Sequence, residues 1–439
     1  MIIMKRFLLP VFILITFSSA AQRILTLEEA IATALQNNYD IRLSKNDSAV
    51  AALDYSFRNA ALYPKLNGSI GTTWNNNDGK QTLADGTKRE QNNIKSHNLT
   101  AALNLNWTLF DGMKMFATRD KVAEFVRLGE LGIKNQVVNT VANVINTYYN
   151  IVRQKQQLKA IEEQISLSQE RVKLAQYKLD IGVGAKPDVL QSKVDNNSQK
   201  ALQLEQQTLI SQLKEQLNQA MNVTERTFYE VADSIPLNTT LSLGDIQNGL
   251  EAASPVLQMT RKSLDIAALT LKERKADRWP TVSFNSVYNF TRTNNQTVIN
   301  PFSPLFNQSK GFNYGLTAAI PIFNNHLVKR QIKQAELDIQ YQQVVLENQK
   351  SQLNLAVINA FLEYEQQKKA LALEEENIIL AKENVSIVFQ VYKLNSTTLI
   401  QLKEAERSLN DAYTRLITAR YNTKLAETEL LRLKGDLVK

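Results

Sequence analysis

Residues 357–394 read VINAFLEYEQQKKALALEEENIILAKENVSIVFQVYKL. Within them Val357, Tyr364, Leu371, Ile378, Val385 and Tyr392 recur at every seventh position. That period predicts a long helix that supercoils around its neighbours. The stretch lies inside Asn324–Lys434, which contains neither glycine nor proline, although these types supply 14 and 9 residues of the chain. Charges interrupt it every few residues, so it is too polar to be a membrane span.

The same ladder occurs earlier as Val144, Ile151, Leu158, Ile165, Val172 and Leu179, each 213 positions before its counterpart. The chain therefore carries two copies of one long-helix design. Working outward, each copy has the same order. Thr26 with Glu29 reads as a helix start, and that helix is expected to run to Leu62, before Pro64. Leu66, Ile70, Thr72 and Trp74 then alternate with polar residues as a strand. Asn75–Ser96 reads as a solvated loop, and Leu99, Ala101, Leu103, Leu105, Trp107 and Leu109 mark a second strand. A helix follows from Gly112 to about Ile181, then a break through Pro187, then a helix from Asp188 to about Met221. In the second copy a helix from Asp245 to Arg278, broken near Pro255, precedes strands marked by Val282, Phe284, Tyr288 and Phe290 and by Phe312, Tyr314, Leu316 and Ala318. Arg292–Lys310 is the loop between them. A long helix to about Leu394, a turn at Asn395–Thr398 and a last helix to about Lys434 complete it.

The ends and the composition bound the compartment. Lys5 and Arg6, the apolar run Phe7–Phe17 and the small residues Ser19, Ala20 and Ala21 read as a secretory signal over residues 1–21. Removing it lowers the formal charge from +8 to +6. No basic run interleaved with aromatics points to nucleic acid. There is no cysteine, hence no disulfide and no thiolate ligand or nucleophile. His97 and His326 have no carboxylate cluster beside them, so neither a metal nor a cofactor is expected. Gly182–Pro187 lacks the spacing of a phosphate loop. No nucleophile–base pair stands out, and no enzyme is expected.

A long helix of about 70 residues spans roughly 105 Å. The four strands carry apolar side chains on one face and Asn, Ser, Thr and Gly on the other, with few charges. At 10–12 residues and a steep tilt they match an outer-membrane barrel band of about 25 Å. Trp74, Trp107, Tyr288, Phe290, Phe312 and Tyr314 are candidate interfacial girdle residues. A sandwich, or a sheet packed on helices, is the alternative; it explains the alternation but not the charge distribution together with the signal. Four strands cannot close a barrel, and an open edge cannot face lipid, so assembly with further copies is required. Polar residues beside the ladders, among them Lys155, Glu162, Gln169, Lys368, Glu375 and Lys382, suggest a helical wall around water.

These features resemble the TolC-like outer-membrane efflux proteins, over essentially the whole mature chain. The resemblance rests on the duplicated order, on Tyr63-Pro64 and Trp279-Pro280 entering the strands, and on Leu109-Phe110-Asp111-Gly112 and Pro321-Ile322-Phe323-Asn324 leaving them. It rests also on the tip Gly182 followed by Asp188-Val189-Leu190. It implies a mainly α protein with a membrane β-barrel portion. Long antiparallel coiled-coil helices would form a periplasmic α-barrel, and four strands per chain would enter a trimeric twelve-stranded β-barrel. Residues 22–228 and 229–439 would be two structural repeats interleaved in one channel protomer. It implies an exit duct of a tripartite efflux or type I secretion system, in the outer membrane of a Gram-negative bacterium with a long periplasmic portion. The partners it implies are two further copies, a periplasmic adaptor (membrane fusion) protein, an inner-membrane efflux transporter and outer-membrane lipid. An exported coiled-coil adaptor or adhesin without a pore is the alternative.

The tips Gly182, Val183, Gly184 and Asn395, Ser396, Thr397 are the candidate docking residues. Both glycines are expected at positive φ, and Asn395 to replace Gly182 in that role. By resemblance, the tunnel narrows near Asp188, Tyr392, Gln401 and Glu404. Thr397 and Gln401 depart from the family's arginine and acid. Three copies of Glu404 would form a negative ring; the alternative for this residue is a solvated helix-face charge.

Overall fold

The computed structural model describes residues 23–223 and 229–437. The expected signal over residues 1–21 lies outside them. In chain order the elements are β1 (Arg23–Leu25), α1 (Leu27–Asn37), α2 (Tyr39–Ser56), β2 (Lys65–Thr82), β3 (Lys88–Phe110), α3 (Lys114–Asp180), α4 (Lys186–Met221) and β4 (Tyr229–Val231). They continue as α5 (Leu243–Gln247), α6 (Leu250–Ala253), α7 (Pro255–Ala276), β5 (Thr281–Asn295), β6 (Phe306–Ala319), α8 (Leu327–Lys393) and α9 (Leu399–Lys434). The two long helices, α3 and α8, have 67 residues each, and α4 and α9 have 36 each. The chain divides into two compact units.

The first unit comprises residues up to Ile41, Val137–Ile246 and Val357 onward. The seven-residue ladders form its seams. All six ladder residues of α8 are buried, as are Val144, Ile151 and Ile165 of α3. One core joins Ala30 and Ala34 of α1, Val141–Val152 of α3, Ile210–Met221 of α4, and Tyr229 and Val231 of β4. β1 and β4 pair in parallel, Arg23 with Tyr229 to Leu25 with Val231.

The helix expected from Thr26 to Leu62 is not continuous. The Thr26–Glu29 capping box starts α1 as expected. Asn38 then leaves the helical region, and its side chain explains why. Its Oδ1 accepts from the backbone N–H of Asp40 (2.9 Å) and Ile41, while its Nδ2 donates to the Ala220 carbonyl (2.8 Å). An Asn side chain that caps the next helix and anchors a distant one outcompetes the helical backbone bond. The helix expected over Asp245–Arg278 is likewise split into α5, α6 and α7, with Pro255 opening the last.

Ion pairs hold β4 to the long helices. Lys155 Nζ reaches Asp233 (2.7 Å), Glu230 (3.2 Å) and the Val231 carbonyl (3.0 Å). Lys214 Nζ reaches the other Glu230 oxygen and the Tyr229 carbonyl, each at 2.9 Å. Lys155 thus serves a strand, not a water-filled wall. Other polar partners of the ladders are likewise engaged: Glu375 with Arg420, Glu162 with Gln203, and Lys382 over the Tyr413 ring.

The second unit comprises Arg42–Gln136 and Gln247–Ala356. Its sheet has the order β2-β3-β5-β6, antiparallel throughout. The loop expected over Asn75–Ser96 is a correction. β2 and β3 run through most of it and turn only at 83–87, where Gly86 has φ +84°. Pairs such as Asn75 with Ser96 (3.1 Å) and Lys80 with Glu90 (2.6 Å) line this hairpin. Polar composition marked where water is, not where the ladder stops. The second loop is also shorter than expected, since β5 reaches Asn295 and β6 begins at Phe306.

At the strand-to-helix exit Gly112 has φ +70°, and a Cβ there would meet the Ala276 carbonyl oxygen at 2.4 Å and Trp279 Cβ at 2.8 Å. Gly132, inside α3, has open space around it. Gly112→Ala is expected to destabilise by more than the ~1–2 kcal/mol of a left-handed residue alone. Gly132→Ala should be neutral to stabilising by up to about 1 kcal/mol. Thermal unfolding in detergent compares the two.

A pH prediction follows from the β4 clamp. Burial raises the Glu230 pKa, but the bonds from Lys214 and Lys155 outweigh it and hold the carboxyl below its usual 4.5. The bond from Lys155 holds Asp233 below its usual 3.8. Depressed carboxylates stabilise the fold fully above their unfolded values, and that contribution is lost as pH falls through the folded ones. For Lys155, burial works downward, but Asp233 and Glu230 win and the ammonium stays above its usual 10.5. Its contribution is complete below that value and lost on alkalinisation through the raised one. Lys155→Met should lower the unfolding midpoint at neutral pH and flatten its fall below about pH 4, followed by circular dichroism melts across pH.

Candidate functional site

Two places carry the sequence-derived candidates, one in each unit. The first is the pair of helical hairpin ends in the unit built on the ladders. α3 ends with the amides of Val183 (3.0 Å) and Gly184 (2.8 Å) both donating to the Lys178 carbonyl. α8 ends with Ser396 N donating to the Val391 carbonyl at 3.1 Å, the equivalent position in the second copy. Gly182 has φ +79° and Asn395 φ +58°, so the left-handed cap is kept by the residue next best suited to it. Gly184 does not share the positive φ expected for it. Its constraint is space, because a Cβ would meet the Lys178 and Leu179 backbone at 2.8 Å. Val183 and Ser396 are exposed, while Thr397 is half-buried.

The four tunnel candidates fall into different environments. Tyr392 is buried, with Lys178 Nζ 3.9 Å from its ring centre and donating to its carbonyl at 2.7 Å. Burial pushes the phenol up, and the Asp188 carboxylate adds to it. Burial pushes the Lys178 ammonium down, with Asp188 opposing. Gln401 completes the capping box of α9, taking the Thr398 amide and the Thr397 hydroxyl. Asp188 is half-buried in the first turn of α4. Glu404 is exposed on α9.

Sequence reasoning missed the ties between the hairpins. Lys178–Tyr392 is one. The other centres on Arg171 of α3, which is buried and pairs with Glu406 of α9 and with Asp195 of α4 (3.1 Å). Lys403 of α9 reaches the same Asp195 at 3.0 Å. Burial pushes the Glu406 carboxyl up, against the pull of Arg171. Burial also works against Asp195, but Gln191, Lys403 and Arg171 hold it down. The only sequence signal was a charged residue of each sign directly beside a ladder or seam position, Arg171 before Val172 and Glu406 after Ala405.

The second place is the uncovered sheet. Leu66, Ile70, Trp74, Leu103, Tyr314 and Leu316 are all exposed on one face. The register places Phe312 beside Tyr288, Tyr288 beside Leu103 and Leu103 beside Gly68. Phe312, after which Lys310 ends the apolar run on β6, is thus level with a residue six before Trp74 on β2. The apolar band crosses the sheet diagonally. Six residues are about 20 Å along a strand, and three strand spacings about 14 Å. A level membrane then requires strands tilted by about 55°, steeper than the roughly 35–45° of most outer-membrane barrels. Trp107 stands toward the helical end of β3, and Trp74, stacked on His97 at 5.0 Å, toward the other end of β2. Phe290 is half-buried between them. His326 packs edge-on against Phe323. No helix among the described residues is long and apolar enough to cross a membrane.

A sequence model described as outer membrane efflux protein matches residues 30–223 and again 248–436. The chain belongs to this family. The efflux protein is 21% identical over 427 residues to the outer membrane efflux protein BepC of Brucella suis, covering 94% of this chain and 86% of BepC. Its fold is that of solved outer-membrane channels. Campylobacter jejuni CmeC superposes with TM-score 0.77 at 15% identity, covering 94% and 86% of the two chains. The open state of Neisseria gonorrhoeae MtrE gives 0.70 at 17%, covering 94% and 89%. CusC gives 0.76 at 18%, covering 93% and 92%. The efflux protein is a channel of the outer membrane with a long periplasmic helical portion.

Arg171→Met removes the partner of a buried carboxylate and is expected to destabilise the efflux protein by about 3–5 kcal/mol. Adding Glu406→Leu should recover most of that loss, because the orphaned charge is gone. Denaturant unfolding of the detergent-solubilised protein measures both.

Proposed function

We propose that three copies close one barrel of twelve strands and that the chain is the passive exit duct of an efflux assembly. The observation that carries this is the uncovered sheet: an apolar face on a diagonal band, and two outer strands, β2 and β6, whose outward backbone groups have no partner strand among the described residues. In hydrocarbon such edges must be paired by further copies. Each protomer is built as two repeats, residues 22–228 and 229–439. The apolar face meets outer-membrane lipid, with Trp74, Trp107, Tyr288, Phe290, Phe312 and Tyr314 near or within its borders.

The hairpin ends, Gly182–Gly184 and Asn395–Thr397, dock on a periplasmic adaptor, which links them to an inner-membrane efflux transporter. The exposure of Val183, Ser396 and the neighbouring Ile181 and Ile400 supports this reading. Asp188, Tyr392, Gln401 and Glu404 line the narrowing of the tunnel. Of these, Glu404 presents its carboxylate to solvent, and three copies would favour cations. Tyr392 and Gln401 act by shaping the hairpin ends, through their bonds to Lys178 and Thr398.

Planar-bilayer recording of the purified protein tests the reading. Discrete, cation-preferring steps are expected, with weaker selectivity in Glu404→Ala. A protein that dissolves without detergent and carries no current would overturn the duct. Unchanged selectivity in the variant would remove Glu404 from the narrowing.

A further inference from the structure

The strands of the sheet place their charges unevenly. Arg292 is the only charged residue of β5 and Lys310 the only one of β6, and both are exposed. The register puts both on the apolar face, not on the face of Asn, Ser, Thr and Gly. Arg292 stands beside Leu99, and Lys310 beside Phe290. Each ends the apolar run of its strand, after Phe290 on β5 and after Phe312 on β6. On β3 His97 does the same after Leu99, and Lys95 is next on that face.

Lys310, Arg292 and His97 step along the sheet by one side-chain pair per strand, which is the slope of the apolar band itself. Strands tilted enough to level the band therefore also level these three residues, on the border away from the helices. The border next to the helices has no counterpart: there the apolar face ends in Leu66, Trp107, Val282 and Ala318. Nor is there a carboxylate to answer the cations, since β5, β6 and the stretch of β3 from Gln91 to Phe110 contain no Asp or Glu. Among the described residues Lys95, Arg292 and Lys310 have no ion-pair partner. The Arg292 guanidinium lies over the Phe306 ring, 5.4 Å from its centre, which holds it on this face without using its N–H donors. A cation on a lipid-facing surface is costly at mid-membrane and tolerated at the headgroup level. With water available on the opposite face, placing the only charges of β5 and β6 here calls for a negative partner at that level.

A second observation lies just inward of the cations. Gly68 and Ala101 leave a cleft of about 400 Å³ in the apolar face, walled by Ile70, Leu103, Tyr288 and Phe290. Apart from the Tyr288 hydroxyl these walls are apolar. Ala101 pairs with Phe290, which pairs with Lys310 and stands two residues before Arg292. The Arg292 Cα is therefore about 8 Å from that of Ala101. Cleft and cations form one amphipathic surface, apolar toward the membrane centre and positive at its outer border.

We infer that this surface binds a phosphorylated lipid of the outer leaflet, with an acyl chain in the Gly68–Ala101 cleft and phosphate oxygens on Arg292 and Lys310. Arg292 offers a planar fork of donors and Lys310 a mobile point charge, and both suit phosphate. This rests on the reading above that the apolar face meets lipid, and adds which lipid chemistry and where. A free phosphate would use the cations without the cleft, and a neutral lipid the cleft without the cations. Because the inner border has no such cations, the site also tells the two leaflets apart.

Native mass spectrometry of the full-length, detergent-extracted protein tests the site. The probes are lipid A (a bis-phosphorylated, multiply acylated disaccharide), its dephosphorylated form and inorganic phosphate. Saturable binding of one lipid A per chain is expected, with the dephosphorylated form weaker by about tenfold or more. Arg292→Gln with Lys310→Gln should weaken lipid A by a similar factor and leave the dephosphorylated form unchanged. Ala101→Trp, which fills the cleft, should weaken both lipids. Lys65→Gln, at the helical end and on the other face, should change neither. Equal affinity for the two lipids, or full binding by the double glutamine variant, overturns the phosphate contact. Displacement of lipid A by inorganic phosphate, or full binding by Ala101→Trp, overturns the lipid as ligand. Bilayer recordings on the same preparations separate the failures. Current without preference for lipid A overturns this site and leaves the duct standing, whereas neither current nor lipid binding overturns both.

Discussion

Backbone amides and carbonyls left unpaired in hydrocarbon cost several kcal/mol each, and among the described residues the four-stranded sheet has a row of them on either side. Much else in the chain answers to that constraint. It forbids the sheet from working alone and confines charge to the ends of the strands. It also sets the tilt: the apolar band steps six residues from β2 to β6 because strands that close a ring must cross the membrane obliquely. The sheet's lack of a helical cover is therefore a requirement of its site. A face packed on helices could not meet lipid.

The ladder unit solves a different problem, holding very long helices in one register. Apolar heptads alone tolerate a slip of seven residues, because every rung resembles the next. Arg171 resists such a slip. Moving α9 by one heptad would carry Glu406 away from Arg171 and leave its buried carboxylate unpaired. Lys155 and Lys214 act likewise on β4, where a short parallel pair has little area of its own to fix its position.

Much of this fold was legible in the sequence. The seven-residue ladders, the 213-residue repeat and the absence of breakers located α3, α4, α8 and α9 to within a few residues, because periodic burial is written in residue type. Strand limits were less legible. Asn, Thr and Lys in the far half of β2 look like loop residues, yet a hairpin standing in water needs no apolar face to keep its ladder. The break at Asn38 was hidden because its cause is the Ala220 carbonyl, 182 residues away. The same holds for the candidate site. Gly182 and Asn395 follow from local backbone geometry and were readable. Gly184 was misread because crowding and positive φ select the same residue. Lys178 and Arg171 were missed because a charge near a ladder looks alike whether it faces solvent or a partner more than two hundred positions on.

That separation also orders the birth of the molecule. β2 with β3 and β5 with β6 are hairpins that can form as soon as each is made. The joint between β3 and β5 couples Ser96 to Asn295, and the seam between α3 and α9 couples Asn139 to Arg432. Neither exists until the second repeat has emerged. Contacts of such long range are slow to close. The first repeat must wait with the α3 face that meets α9 and the β3 edge that meets β5 exposed, so the nascent chain has a long interval in which a stranger could take its partner's place.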